Sequence, residues 1–383
     1  MVRKKIVHII IACFYKEGFG YQENILPAKH VELGYDVTII TIKRNEYNQS
    51  YINRDGVKVK LLDANKSLFM KLPFFKILNS KTKGLHHKLI EINPDIIFIH
   101  GSQAIDNLSV VKYKKHNPNV QVFVDQHGDY YNMPINTLKN WFIQKVVFRF
   151  VAQKLASISE MMWGVTPWRV EYLQKVYGVN KEKTGLLVMG GDEKLIDWES
   201  KTLIRYNIRK SYNIPEDCFL IITGGKIDSN KNIHLLSDAV IALNNSNIKL
   251  MIFGKYEKDM KNIIVMNDSI IDVGWIDSKE VYALFLASDL GFFPGTHSVL
   301  WEQAVASGLP CVFKKWGEGM KHLDVGGNCL FLEDITISTI KGIILELYEN
   351  AENYKNMELV ANTIARKEFS YLEIAKHSIL YKE

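Results

Sequence analysis

No apolar run in this sequence reaches the ~18–20 residues that a membrane-spanning helix needs, so no spanning helix is expected. Cysteine is scarce: Cys13, Cys218, Cys311 and Cys329 stand far apart and show no metal-ligand spacing. Three of them fall in apolar, strand-like runs, which fits reduced core thiols and a cytoplasmic location. There is no internal repeat with a period of about 20–50 residues and no low-complexity tract, which excludes a repeat array. A large charge of one sign is missing as well, since the net charge is only +6. That excess suits an anionic ligand or an anionic membrane surface without requiring either, and no nucleic-acid partner is expected. The start, Arg3-Lys4-Lys5 followed by Ile6 to Phe14, imitates a secretion signal. It lacks a small-residue cleavage site and runs into a helical pattern, so it reads as a first buried strand.

What is present is a globular composition, 47% hydrophobic and 23% charged, over 383 residues, which is enough for two domains. Strand-like runs alternate with helical patterns, as in parallel sheets covered by helices. Strands are expected near 5–13, 36–42, 57–62, 95–100, 120–126 and 186–189, and again near 218–224, 248–253, 268–272, 289–293 and 310–313. Between the two series, Asp197 to Glu216 is charged, carries an amphipathic helix and contains Pro215. The expected fold class is α/β, with two doubly wound Rossmann-like domains and a ligand cleft at the strand C-termini. The expected spans are 1–197 and 198–365, followed by a terminal helix over 366–383.

The stretch from Ser288 to Glu333 organises the chain. Leu290 to Phe293 reads as a buried strand, Pro294-Gly295-Thr296-His297-Ser298 as a tight polar loop, and Leu300 to Ser307 as a short helix. Gly308 suits a left-handed cap, and Pro310 prevents continuation. Such a unit can hold an anion, because free backbone N–H groups and the helix dipole face the loop. Ser298 is expected as the N-cap. Glu302, one turn on, shares the loop side and can accept two hydroxyls of a ribose or hexose. The alternative is a strand–loop–helix unit of any doubly wound fold.

The run Pro294…Leu300-Trp301-Glu302-Gln303-Ala304…Gly308-Leu309-Pro310 resembles the donor-site segment of family 4 glycosyltransferases, retaining enzymes of the GT-B fold. That segment usually reads Pro-Ser…Glu…Gly-Phe-Gly…Leu-Glu-Ala…Ala-Ser-Gly-x-Pro. Glu302 matches the second glutamate of the family's pair. The position of the first falls on Pro294, and His297 or Thr296 is the candidate substitute. Gly224-Gly225-Lys226 to Lys231 resembles the family's Gly-Arg-x-x-x-x-Lys-Gly, whose two cations hold the donor diphosphate; lysine here replaces arginine. Two fixed cations stabilise a departing diphosphate without a metal, although lysine lacks the guanidinium fork. No metal or other cofactor is expected. Gly254, with Trp275 and Ile276, matches turns that lie beside the base in the family; Trp275 either stacks or packs. Gly326-Gly327-Asn328 matches the Gly-x-Asn-Gly turn, with Cys329 in place of the last glycine.

In the first half the resemblance is diffuse. Gly18 and Gly20 resemble the family's N-terminal glycine loop, or form a tight strand-to-helix turn. His127, between Asp125 and Asp129, resembles the family's His-Asp segment near the transferred sugar; otherwise it is a histidine satisfied by a carboxylate. His100 reads more simply as a structural histidine. Gly190-Gly191-Asp192 resembles the family's Asn-Gly-x-Asp turn, with Met189 in place of asparagine. Lys66 to Lys88 carries six lysines, no acid and many large apolar residues, so it suits either an anionic membrane interface or a surface helix. Trp141 to Lys154 is a second basic, aromatic helix, expected in the core.

The resemblance implies a retaining hexosyltransferase. It would move sugar from a nucleotide diphosphate sugar to a glycan or lipid-linked glycan in bacterial surface polysaccharide or capsule synthesis. The protein would be cytoplasmic, free or bound peripherally to the inner face of the plasma membrane, with the terminal helix crossing back to the first domain. His127, Glu302, Lys226 and Lys231 are the catalytic candidates. Gly18, Gly20, Gly225, Gly254, Trp275, Ile276, Thr296, His297 and Ser298 are further donor contacts. A nucleotide-sugar epimerase or hydrolase, or a non-catalytic partner subunit, are the rival readings.

Overall fold

A computed structural model of the chain describes residues 3–13, 15–43, 49–64, 82, 84–257, 259–316 and 319–380. Most of Lys66 to Lys88 lies outside the described residues; its end enters the helix Leu85–Ile92.

The chain forms two compact units, Met1–Val188 with Ile374–Glu383, and Met189–Glu373. The first holds β1 (Lys5–Ile10), β2 (Asp36–Ile42), β3 (Tyr51–Ile52), β4 (Lys58–Leu62), β5 (Ile96–His100), β6 (Gln121–Gln126), β7 (Met161–Gly164) and β8 (Thr184–Leu186). Their order in the sheet is β3-β4-β2-β1-β5-β6-β7-β8, parallel except for the β3–β4 pair. Ile6, Val7, Ile9 and Ile10 are wholly buried, as expected of a central parallel strand covered on both faces. The second unit holds β9 (Phe219–Ile227), β10 (Ile248–Tyr256), β11 (Ile270–Gly274), β12 (Leu290–Phe293), β13 (Cys311–Lys314) and β14 (Cys329–Leu332), in the parallel order β11-β10-β9-β12-β13-β14. Each sheet thus reverses direction beside its first strand, between β1 and β5 and between β9 and β12. Ligands of doubly wound sheets bind outside the strand ends at such a point.

The units divide at Val188, earlier than the expected 197, and the returning segment starts at Ile374, later than 366. The reason is local. Gly191 N–H donates to the Phe369 carbonyl at 3.0 Å, Tyr371 N–H returns to the Gly191 carbonyl, and a Cβ on Gly191 would meet Ala306 at 2.7 Å. Those contacts hold residues 189–197 and 366–373 in the second unit. Beyond them, Ser378 accepts the Trp163 indole N–H at 3.0 Å through its carbonyl, which ties the last helix to the first unit.

Other differences have equally plain causes. β9 continues through Lys226 because Gly225 and Gly254, both with positive φ, pair across β9 and β10; a Cβ on Gly254 would lie 1.8 Å from the Gly225 carbonyl oxygen. The helical segment 138–156 buries only one face, so Trp141 lies outside the core. The four cysteines are free, three of them buried. Among the described residues no helix is long and apolar enough to cross a membrane.

Candidate functional site

Of the expected donor residues, Lys231, Thr296 and Ser298 come together at the switch point of the second sheet. After β9 a short turn, Ser229–Lys231, is opened by Asp228, whose carboxylate accepts the Asn230 N–H at 2.9 Å. After β12 comes the loop 294–298. The two are sewn together. Lys231 Nζ donates to the Thr296 carbonyl, Thr296 N–H donates to the Asn230 carbonyl at 3.1 Å, and Asn232 Nδ2 donates to the Pro294 carbonyl at 3.0 Å. Gly295 is required there, because a Cβ would lie 2.2 Å from Lys231 Cα. Trp316 clamps the loop from outside, its indole N–H donating to the Gly295 carbonyl at 3.1 Å.

Lys231 is half-buried beneath this loop. Burial lowers its pKa, with Asp228 opposing and Lys226 adding to the fall. Lys226 is exposed and lies 2.6 Å from Glu257 and 3.9 Å from Asp228. A crevice lined by Gly224, Lys231, Thr296, Ser298 and Trp301 opens between the two strand ends.

Glu302 is fully buried on the helix Leu300–Ala306. Its two carboxylate oxygens lie 2.8 and 3.1 Å from His297 Nε2, and His322 Nε2 lies 4.0 Å away. Burial pushes the carboxyl up, but His297 and His322 outweigh it and hold the pKa below the usual range. Glu302 is therefore an anion with spare acceptor capacity, because a carboxylate offers about four lone-pair sites. His297 meets Trp301 edge-on, and Trp301 stacks on Phe313. Ser298 does not cap the helix. Val299 occupies that position, and Ser298 offers its carbonyl to the Trp301 N–H at 3.0 Å. Gly308 does end the helix with positive φ, as expected. Farther along the sheet, Trp275 stands just past β11 with 73% of its surface exposed, and Ile276 beside it is half-buried.

In the first unit, Gly18 has φ +84° and follows β1; Cβ atoms on Gly18 or Gly20 would meet open space. Asn24 holds this loop, donating to the Lys16 and Phe19 carbonyls. His127 follows β6, and its Nε2 lies 3.2 Å from Asp125 Oδ1.

Behind His127 runs a buried ladder. Asp125 Oδ2 lies 2.8 Å from His100 Nδ1, His100 Nε2 lies 2.9 Å from His8 Nδ1, and His8 Nε2 lies 3.0 Å from His30 Nδ1. His30 Nε2 ends the ladder at the Ala375 carbonyl, 3.0 Å, and at Ser378 Oγ, 3.2 Å. A neutral imidazole offers one donor and one acceptor, so each contact dictates the next. With His100 donating to Asp125, His8 donates to His100 and His30 donates to His8, which leaves His30 Nε2 without a proton for the Ala375 carbonyl, to which Ser378 Oγ also donates at 2.8 Å. The reverse order, with His30 donating to Ala375, leaves His100 donating at both nitrogens and requires one more proton. Burial lowers the His8 pKa strongly and that of His30 to about 4, so both rings are neutral near pH 7 in either order. Burial also works against the charges on Asp125 and His127. Their mutual attraction prevails, so the Asp125 pKa falls well below the carboxylate range and the His127 pKa rises.

The sequence reading missed His8 and His30 and treated His100 as structural. A signal existed for His8, which is the one polar residue in the buried run Ile6–Ile10. Among the described residues, His100, Asp125 and His127 are the group whose ligand atoms lie close enough to share a metal ion. Both ring nitrogens of His100 are already engaged, by Asp125 and His8, so the group as it stands is a hydrogen-bonded set.

Three solved structures share the architecture over nearly their whole length. A glycosyltransferase from Rickettsia africae ESF-5 aligns with TM-score 0.68 at 15% identity, over 99% of this chain and 100% of the other. Sucrose-phosphate synthase from Thermosynechococcus elongatus aligns with TM-score 0.66 at 15% identity, over 98% and 97%. Anabaena HepE in complex with UDP and glucose aligns with TM-score 0.62 at 14% identity, over 98% of both chains. No curated protein matches the chain in sequence. The fold is therefore the two-domain Rossmann-like architecture of GT-B glycosyltransferases, and residues 204–362, which include Lys226, Lys231 and Glu302, match the family model described as glycosyl transferases group 1.

Proposed function

We propose that the chain is a retaining glycosyltransferase of family 4 that uses a nucleotide diphosphate sugar and transfers hexose to a glycan or lipid-linked glycan in bacterial surface polysaccharide synthesis. The observation that carries this reading is the pair of strand-end loops at the β9/β12 switch point, with Lys231 fixed between them and Glu302 behind. In this reading Lys226 and Lys231 bind the diphosphate, where two cations offset the charge that grows as the glycosidic bond breaks. Gly225 and Gly254 let backbone approach the ligand, Thr296 and Ser298 complete the phosphate contacts, and Trp275 stacks on the base with Ile276 beside it. Glu302 accepts ribose or sugar hydroxyls, while His297 takes the place of the family's first glutamate. The departing phosphate accepts the acceptor proton, so no separate base is required. His127, oriented by Asp125, contacts hydroxyls of the reacting sugars. The UDP and glucose of the Anabaena relative support a donor of this class. A lipid-linked acceptor would bring the protein to the cytoplasmic face of an anionic membrane, with Lys66 to Lys88 as one contact.

The test is turnover of labelled nucleotide sugars with and without glycan or lipid-linked acceptors. Transfer that depends on the acceptor and falls more than tenfold in Glu302→Gln, over ~1.4 kcal/mol of barrier, is expected. Acceptor-independent hydrolysis or isomerisation would overturn it in favour of an epimerase or hydrolase. A chain that binds no nucleotide sugar would instead be a non-catalytic partner subunit.

A further inference from the structure

The helical segment 138–156 packs Ile143, Phe148, Val151 and Leu155 into the core of the first unit. The opposite face of such a helix is ordinarily polar. Here it carries Leu138, Trp141, Phe142, Val146 and Phe150, all exposed, Leu138 by 83% and Phe150 by 53%. Steps of three and four residues place these side chains along one stripe. Lys139 and Lys154 stand exposed beside it, with Lys145 half-exposed. Between Asp129 and Glu160 the chain has no acidic residue.

We propose that this stripe is an interfacial anchor that seats the first unit on an anionic lipid bilayer. Large apolar side chains flanked by lysines and free of acids match the two halves of such a boundary. The rings and Leu138 enter the acyl margin, and the ammonium groups reach the phosphates. A second protein fits less well, because the cores of protein interfaces are depleted in lysine. In the sequence the anchor lies outside Lys66 to Lys88. As a route to a lipid-linked acceptor it rests on the function proposed above, whereas the binding itself does not.

The test is co-sedimentation of the full chain with vesicles of phosphatidylcholine, alone or mixed with phosphatidylglycerol, at low and high salt. Wild-type protein should partition onto the mixed vesicles. Lys139→Glu/Lys154→Glu should weaken that partitioning at least about tenfold at low salt, since each lysine near such a surface contributes a substantial attraction. Trp141→Ser/Phe150→Ser should remove the fraction that survives high salt. Both pairs are exposed, so unchanged thermal melting should show that the fold persists. Wild-type protein that stays in solution at low salt, or variants that partition like wild type, would overturn the proposal. A dimer in sedimentation velocity that Trp141→Ser/Phe150→Ser dissolves would overturn it too, by giving the stripe to a second copy. Titration with nucleoside diphosphates separates the two ideas: if no nucleotide binds but vesicles do, the proposed function fails and the anchor stands.

Discussion

Acidification should loosen the first unit through its histidine ladder. Burial holds His30 at about 4, against 6.5 for a free histidine. Between those values the unfolded chain carries the extra proton and the folded one does not, so stability falls as pH falls. The loss begins near 6.5 and is complete below about 4. A gap of this size is worth ~3 kcal/mol in all, of which ~2 kcal/mol is lost between pH 7 and pH 5. His8, lowered by burial and by its neighbours His30 and His100, adds in the same direction. His127 opposes them, because its raised pKa stabilises the fold as it takes up a proton; Asp125, held very low, contributes nothing until stronger acid. His30→Gln keeps a donor and an acceptor but cannot titrate in this range. Amide exchange of the β1 and β5 peptides, corrected for the intrinsic pH effect, reads the local opening energy. Wild type should lose about 2 kcal/mol more protection than His30→Gln on going from pH 7 to pH 5. Equal losses in the two proteins would refute the claim that His30 is kept neutral by burial.

Two further outcomes follow from close packing in the second unit. Gly295→Ala, whose Cβ would lie 2.4 Å from the Asn230 carbonyl oxygen, should destabilise the unit by ~1–3 kcal/mol in thermal melts and weaken nucleotide binding by displacing Lys231. Arg209 is wholly buried and donates to the carbonyls of Ala287, Pro215, Glu216 and Cys218 and to Asp289. Arg209→Met should cost ~3–5 kcal/mol in urea unfolding, towards the lower end because Arg205 still pairs with Asp289 at 2.8 Å.

The parallel sheets were legible because buried strands such as Ile6–Ile10 and Leu290–Phe293 are short apolar runs between turn residues. β7, four residues long and directly after Glu160, lacks that contrast, and β3 has only two residues. The placement of Lys231 and Glu302 at one switch point was legible from spacing, since each follows the end of a strand, β9 or β12. The ladder was not, because its partners are separated by 22, 92 and 345 residues and meet only when β1, β5 and two helices pack. The segment 138–156 misled for another reason. A helix that is apolar on both faces looks like a core helix in one dimension, and only the packing of Ile143 and Phe148 shows which face is left outside.

Whether the β9/β12 switch point holds a nucleoside diphosphate is decided by titration calorimetry of the wild-type chain with UDP, GDP and ADP, repeated with Lys226→Ala and Lys231→Ala. At least one nucleotide should bind wild type, and each substitution should cost ~1.5–3 kcal/mol, the worth of a charge-assisted hydrogen bond, or roughly 10- to 150-fold in Kd. No binding to wild type, or affinity unchanged in both variants, would contradict the account.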